Sequence, residues 1–231
     1  MKTIGLLGGM SWESTVTYYQ TINRLVGKAL GGLHSAPIVL VSVDFAPIET
    51  LGREGRWDET GDQLAAAARQ LEQAGADSIV MCTNTMHRVA PQIEAAVGIP
   101  LLHIVEPTAG AIIDAGISRV GLLGTAFTME MDFYRGKLAS DFDLDVVVPD
   151  DSGRQQVHHI IYDELCRGVV SGRSRERMIA VVDELASRGA SGVILGCTEI
   201  GLLLESDDVS LPLFDTTQLH AAAAARFALD R

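Results

Sequence analysis

Two of the three cysteines in this chain sit in the same local setting in opposite halves, each followed by a threonine. The first reads Ser78-Ile79-Val80-Met81-Cys82-Thr83-Asn84-Thr85, the second Gly192-Val193-Ile194-Leu195-Gly196-Cys197-Thr198-Glu199. A thiolate and a thiol facing each other across a cleft can take a proton from one face of a carbon and return one to the other, exchanging roles after each turnover. The α-carbon of an amino acid is the demanding case, because its conjugate base is a poorly stabilised carbanion. Most enzymes meet it with a pyridoxal cofactor, held by a lysine and a phosphate cup. Here Lys2, Lys28 and Lys137 are the only lysines, and none sits in such a setting. A cofactor-free route instead needs an acid and a base on opposite faces and firm binding of the substrate carboxylate.

The elements that must position these thiols are duplicated. Ile4-Gly5-Leu6-Leu7-Gly8-Gly9-Met10 recurs as Val120-Gly121-Leu122-Leu123-Gly124-Thr125-Ala126, with Gly5 and Gly121 116 residues apart. Cys82 and Cys197 are 115 apart, and Pro100-Leu101-Leu102-His103 matches Pro212-Leu213-Phe214-Asp215 at a shift of 112. Three matches in one order at nearly one offset imply two homologous halves. Apolar strands alternate with helical patterns, so the fold class is α/β: two pseudo-symmetric domains, each a β-α-β-α-β unit with a parallel sheet flanked by helices. Residues 1–104 plus 215–231 form the first domain, with Cys82, and residues 105–214 the second, with Cys197. Helices are expected over 13–28 behind an Ser11 N-cap, 60–73, 155–167, 174–188 and 219–229, two of them closing at Gly75 and Gly189.

Open parallel sheets bind ligands beyond the carboxyl ends of their strands. Met10 and Ser11, the Cys82-Thr83-Asn84-Thr85 run, Thr125, and Cys197-Thr198-Glu199 all fall at such ends. Backbone N–H groups there, with Thr and Asn side chains, make a carboxylate site. The same helix ends are expected to shift a thiol down toward the working range. The active site is therefore expected in the cleft between the domains.

Composition narrows the alternatives. Eighteen basic against thirty acidic residues leave a net charge of −12, which argues against a nucleic-acid or anionic-membrane surface. No apolar run reaches the length of a membrane span, and Met1-Lys2-Thr3-Ile4-Gly5 leads into a strand-like run rather than a signal sequence. A cytoplasmic protein with free thiols is expected, since three cysteines without a CxxC make no disulfide framework. Cys166 lacks the duplicated setting and reads as structural.

Other signals are weaker. Gly5-Leu6-Leu7-Gly8-Gly9 does not fit the dinucleotide-binding G-x-G-x-x-G pattern. His87 has no second ligand at metal spacing, so no metal is expected. His158 and His159 point in different directions on a helix and read as solvated. Glu199, two residues from Cys197, can orient an ammonium group or tune the thiol.

The runs Ile79 to His87 and Val193 to Leu203 resemble the two cysteine signatures of the aspartate/glutamate racemase family. Gly5-Leu6-Leu7-Gly8-Gly9-Met10-Ser11-Trp12-Glu13-Ser14-Thr15 resembles the opening of its amino-acid racemase branch. The resemblance covers the whole chain. It implies racemisation without a cofactor by Cys82 and Cys197, a small amino-acid substrate such as aspartate, glutamate or homoserine, and a homodimer. It also implies substrate contacts from Met10, Thr83, Asn84, Thr85, Thr198 and Glu199. Gly52 and Cys166 stand where relatives carry a glutamine and a lysine, and Arg53 or Arg167 offers a substitute cation. A dicarboxylate isomerase or decarboxylase of the same superfamily, or an amino-acid-binding protein without catalysis, are the alternatives.

Overall fold

A computed structural model describes residues 1–230. The chain divides into two units, Met1–Ile104 with the stretch from His220 onward, and Val105–Leu219. The first runs β1 (Ile4–Gly8), α1 (Trp12–Leu30), β2 (Ile38–Ser42), α2 (Phe45–Arg53), α3 (Trp57–Gln73), β3 (Ser78–Met81), a 3₁₀ turn (Thr85–Val89), α4 (Ala90–Glu94) and β4 (Leu101–Leu102). The second runs α5 (Val105–Asp114), β5 (Arg119–Gly124), α6 (Ala126–Glu130), α7 (Asp132–Phe142), β6 (Asp145–Val147) and α8 (Asp151–His159). It continues through a π turn (Ile160–Glu164) and a 3₁₀ turn (Leu165–Arg167) into α9 (Gly172–Ser187), β7 (Val193–Gly196), two further 3₁₀ turns (Ile200–Leu202 and Ser206–Asp208) and β8 (Leu213–Asp215). Helix α10 (Thr216–Leu229) follows at once, so the return to the first unit falls within a helix.

Each unit holds one four-stranded sheet, in the orders β2-β1-β3-β4 and β6-β5-β7-β8. All pairings are parallel, and the two orders are the same when the halves are superposed in sequence. Parallel sheets carry helices on both faces, which is why the central strands are apolar throughout rather than alternating. In the first unit Leu7, Ile79 and Met81 pack with Leu64, Ala68 and Leu71 of α3 on one face. The residues between them along the strands, Ile4, Leu6, Val80 and Cys82, pack on the other face with Tyr18, Ile22 and Val26 of α1 and with Ala221, Ala224, Ala225 and Ala228 of α10. The alanines of α10 thus form a smooth stripe that lets a helix lie close to the strands.

Local chemistry sets the helix ends. The Ser11 hydroxyl accepts from the Ser14 N–H at 3.3 Å at the start of α1, and Ser171 does the same for Ser174 at 3.1 Å at the start of α9. After α3 and α9 the chain turns at Gly75 and Gly189, at φ 90° and 89°, a conformation in which a β-carbon would clash.

Each sheet holds one strand, β2 or β6, beyond the three that the sequence pattern predicts for each half. Both are edge strands; β2 is half-exposed and β6 is three residues long, so neither carries the buried run that marks a central strand. The helix expected over 155–167 starts earlier, capped by Asp150, and changes to π and then 3₁₀ winding from Ile160. The helix expected over 219–229 begins at Thr216.

Candidate active site

In the first unit β1 and β3 are adjacent and parallel, with Leu7 opposite Met81, so the turns that follow them leave the sheet at one edge. Cys82 continues the ladder by donating its N–H to the Leu7 carbonyl at 2.9 Å. Beside it Gly9 takes φ 94°, and a β-carbon there would lie 2.2 Å from the Val43 carbonyl oxygen. Its N–H donates to Thr15 Oγ1 at 2.8 Å, and that hydroxyl donates to the Ser11 carbonyl at 3.0 Å. Met10, Ser11, Thr83, Asn84 and Thr85 are all buried at this edge together with Cys82.

The second unit repeats the plan. Gly124 lies opposite Gly196, which places Thr125 and the Cys197-Thr198-Glu199 turn at one edge. Thr125 caps α6 by accepting from the Thr128 N–H at 3.3 Å, with the two hydroxyls 3.2 Å apart. Ser11 and Ser14 stand in the same relation, also 3.2 Å apart. The Cys197 thiol donates to Glu199 Oε2 at 2.9 Å, and the Thr198 hydroxyl donates to the same oxygen at 2.7 Å. Glu199 is buried, only 5% exposed, so its carboxylate is held by short polar contacts rather than by water.

The electrostatics correct one expectation. Neither thiol is shifted down. Burial pushes Cys82 up, and its Sγ donates to the Val80 carbonyl at 3.7 Å. Burial also pushes Cys197 up, reinforced by the negative charge of Glu199 and by Cys166. The helical turns that follow the two thiols are short, Thr85–Val89 and Ile200–Leu202. Their dipoles are correspondingly small, and loss of water outweighs them. The two resting sulfurs therefore differ, one lodged against a backbone carbonyl and the other against a carboxylate.

Two features go beyond what the sequence pattern predicts. His158 is half-buried rather than solvated. Its Nδ1 accepts from the Ala126 N–H at 3.2 Å, beside Thr125, and its ring lies 4.7 Å from that of Tyr162. Cys166 is close enough to raise the Cys197 thiol, and no spacing rule in the sequence foretells that pairing. The Ser11-x-x-Ser14 and Thr125-x-x-Thr128 pairs were, by contrast, open to a search for matched hydroxyls. Among the described residues, no group of three or more His, Cys, Asp or Glu is placed to hold a metal ion. Nor is any helix there long and apolar enough to cross a membrane.

The first unit also buries a cluster of imidazoles, His87, His103 and His220. The rings of His87 and His103 are 4.6 Å apart, and those of His87 and His220 are 5.9 Å apart. His220 Nε2 meets the Leu102 carbonyl at 2.7 Å, which can only accept, so Nε2 carries the proton and Nδ1 accepts from Tyr18 Oη at 2.8 Å. Burial lowers His220 to about 4. It lowers His87 well below the ordinary imidazole value, helped by His103 and His220. An unfolded chain takes up these protons near pH ~6.5 whereas the folded one refuses them, so the stabilisation is whole above that pH and is lost as pH falls toward the folded values. For His220 alone the loss is on the order of 3 kcal/mol. The urea midpoint should therefore drop between pH 7.5 and 4.5, by less in His220→Gln; equal drops in the two proteins would contradict this.

Comparison with known proteins gives concordant results. Residues 7–224 match the family model described as Asp/Glu/Hydantoin racemase. A solved structure from Yersinia pestis, provisionally assigned as an Asp/Glu racemase, is 53% identical, with both chains covered in full and a TM-score of 0.94. An aspartate racemase homologue from Pyrococcus horikoshii OT3 is 33% identical over the whole of both chains, with a TM-score of 0.86. The broad specificity amino-acid racemase RacX of Bacillus subtilis is 25% identical over 93% of this chain and 92% of its own length.

Proposed function

We propose, from the premise that this chain belongs to the Asp/Glu/hydantoin racemase family, that it interconverts the enantiomers of a small polar amino acid by a two-thiol mechanism. The family consists of isomerases that need no pyridoxal phosphate. The observation that carries the finer reading is the duplicated turn: a Cys-Thr pair at the carboxyl end of the third strand in each sheet order, next to a hydroxyl-capped helix start. Two equivalent sites for a proton carrier suit a reaction whose forward and reverse directions are mirror images. The similarity to an amino-acid racemase of broad specificity supports an amino acid as the substrate.

In the proposed cycle one sulfur, as thiolate, removes the α-proton and becomes a thiol. The opposite thiol then delivers its proton to the other face of the carbanion and is left as thiolate. Hydroxyl and N–H donors of Met10, Ser11, Thr83, Asn84, Thr85 and Thr125 bind the carboxylates and spread the developing charge. The Glu199 carboxylate, with Thr198 beside it, receives the substrate ammonium. That contact also draws the carboxylate's charge away from the Cys197 sulfur, easing proton loss in the complex. We further infer a cytoplasmic homodimer, on the family resemblance; sedimentation velocity at two concentrations tests the assembly.

Incubation in deuterium oxide tests the mechanism. Each enantiomer of aspartate, glutamate and homoserine is supplied separately, and the products are resolved by chiral chromatography with mass detection. At early times the product enantiomer should carry one solvent deuterium at the α-carbon, without added pyridoxal phosphate. Product retaining the substrate's own α-hydrogen would exclude two carriers, and release of carbon dioxide would point to decarboxylation instead.

A further inference from the structure

The buried imidazoles are titratable groups that the proposed cycle does not use, yet one of them, His87, hydrogen-bonds the turn that carries Cys82. His87 Nδ1 lies 2.8 Å from the Thr83 carbonyl, which can only accept, so Nδ1 carries the proton. The Ile104 N–H donates to Nε2 of the same ring at 3.3 Å, which requires a bare nitrogen there. Both contacts are satisfied by one neutral tautomer and by no other state of the ring. The ring thereby bridges two places 21 residues apart in sequence, the turn after β3 and the exit from β4.

The two other histidines fix the same corner. His220 holds the Leu102 carbonyl while Tyr18 of α1 holds His220, and His103 packs edge-on against His87. The chain leaves the first unit after Ile104 and re-enters it at His220, so the cluster also anchors both crossings on this unit. His87 is 2% exposed, and no water competes for its two contacts.

The consequence for Cys82 follows from peptide geometry. Carbonyl and N–H of one trans peptide point in opposite directions within one plane. A Thr83 carbonyl turned onto His87 therefore aims the Asn84 N–H the other way and fixes the start of the Thr83-Asn84-Thr85 run. We infer that His87 is a positioning residue: its neutral ring, donating from Nδ1 to Thr83 and accepting at Nε2 from Ile104, fixes the peptide plane that follows Cys82. The catalytic consequence rests on the racemase reading above, whereas the clamp itself does not.

The test pairs two substitutions on the full-length protein. In His87→Asn the side-chain amide nitrogen sits near the place of Nδ1 and keeps the donor to Thr83. In His87→Phe the ring volume stays and both hydrogen bonds go. For the labelled parent, long-range nitrogen–proton spectra at pH 7 should show His87 as the Nδ1–H tautomer and His220 as the Nε2–H tautomer. The amide resonances of Thr83, Asn84 and Thr85 should move in His87→Phe and stay near their parent positions in His87→Asn. Displacing a reacting group by an ångström costs about 100-fold, so kcat/KM should fall by about that factor in His87→Phe, and His87→Asn should recover at least about tenfold of the loss.

The inference is overturned by an Nε2–H or charged His87 in the parent, or by unmoved amide resonances in a folded His87→Phe. Equal losses in the two variants would overturn it as well, because ring volume and not the hydrogen bond would then matter. If His87→Phe does not fold, the parent tautomer and His87→Asn still decide. A parent without racemase activity would strike the proposed function alone, since the tautomer and the amide resonances report the clamp directly.

Discussion

Replacing either Cys82 or Cys197 with alanine should reduce interconversion of enantiomers by at least about 10³-fold in both directions, the scale on which a positioned acid or base acts. Both directions fall together because each turnover uses both sulfurs, one to take a proton and one to give it. Serine at either position should fare little better, because a buried hydroxyl does not become an alkoxide near neutral pH. Burial pushes both thiols up, so the protein at rest holds two thiols, and the parent's kcat/KM should climb as pH rises from neutral into the alkaline range. Chiral chromatography of the parent and the four variants over that range reads all of this. A single Cys→Ala variant with parental turnover would remove that sulfur from the mechanism.

The second large effect is expected at Glu199. Its carboxylate raises the Cys197 thiol both through its charge and by accepting the thiol hydrogen bond, while its backbone N–H acts the other way. Glu199→Gln keeps the shape and removes the charge, so the Cys197 thiol should ionise at lower pH than in the parent. The same change removes the partner of the substrate ammonium. A hydrogen bond to a charged group is worth about 1.5–3 kcal/mol, so KM should rise by roughly 10- to 150-fold. The variant should thus bind poorly while the acid limb of its kcat/KM profile moves to lower pH. An unchanged KM together with an unmoved limb would leave Glu199 no part in either task.

The paired Cys-Thr turns were legible in the sequence because each lies at the end of a fully buried strand, where apolar residues run without interruption. So were the glycines that end α3 and α9, which a positive φ demands. Strands β2 and β6 were not. β6 spans three residues, too few to set a pattern, and the apolar run Ile38 to Val41 of β2 has no matching run at the offset that links the other strands of the two halves. The change of winding after His159 was hidden too, since residues 155–167 keep a helical pattern across it. For the proposed site, residue type and spacing single out Cys82, Cys197 and Glu199 as candidates but misjudge the direction in which the thiols shift. Helix dipoles can be guessed from sequence, whereas loss of water depends on neighbours brought in from elsewhere: Cys82 is packed against alanines of α10, well over a hundred residues away. His87 and His158 were underread for the same reason, as their partners, Ile104 and Ala126, lie 17 and 32 residues off.

Helix α10 leaves β8 of the second unit and gives its alanine stripe to the first. A gene cut between codons 104 and 105 would therefore not yield two self-sufficient products. The leading fragment would keep α1 but lack the α10 share of the cover over Ile4, Leu6, Val80 and Cys82, and the trailing one would carry that share with nothing beneath it. Independent expression of the halves calls for a graft that splices the helix behind β4 through a linker, and complementation between co-expressed pieces would hinge on this one stripe finding its bed.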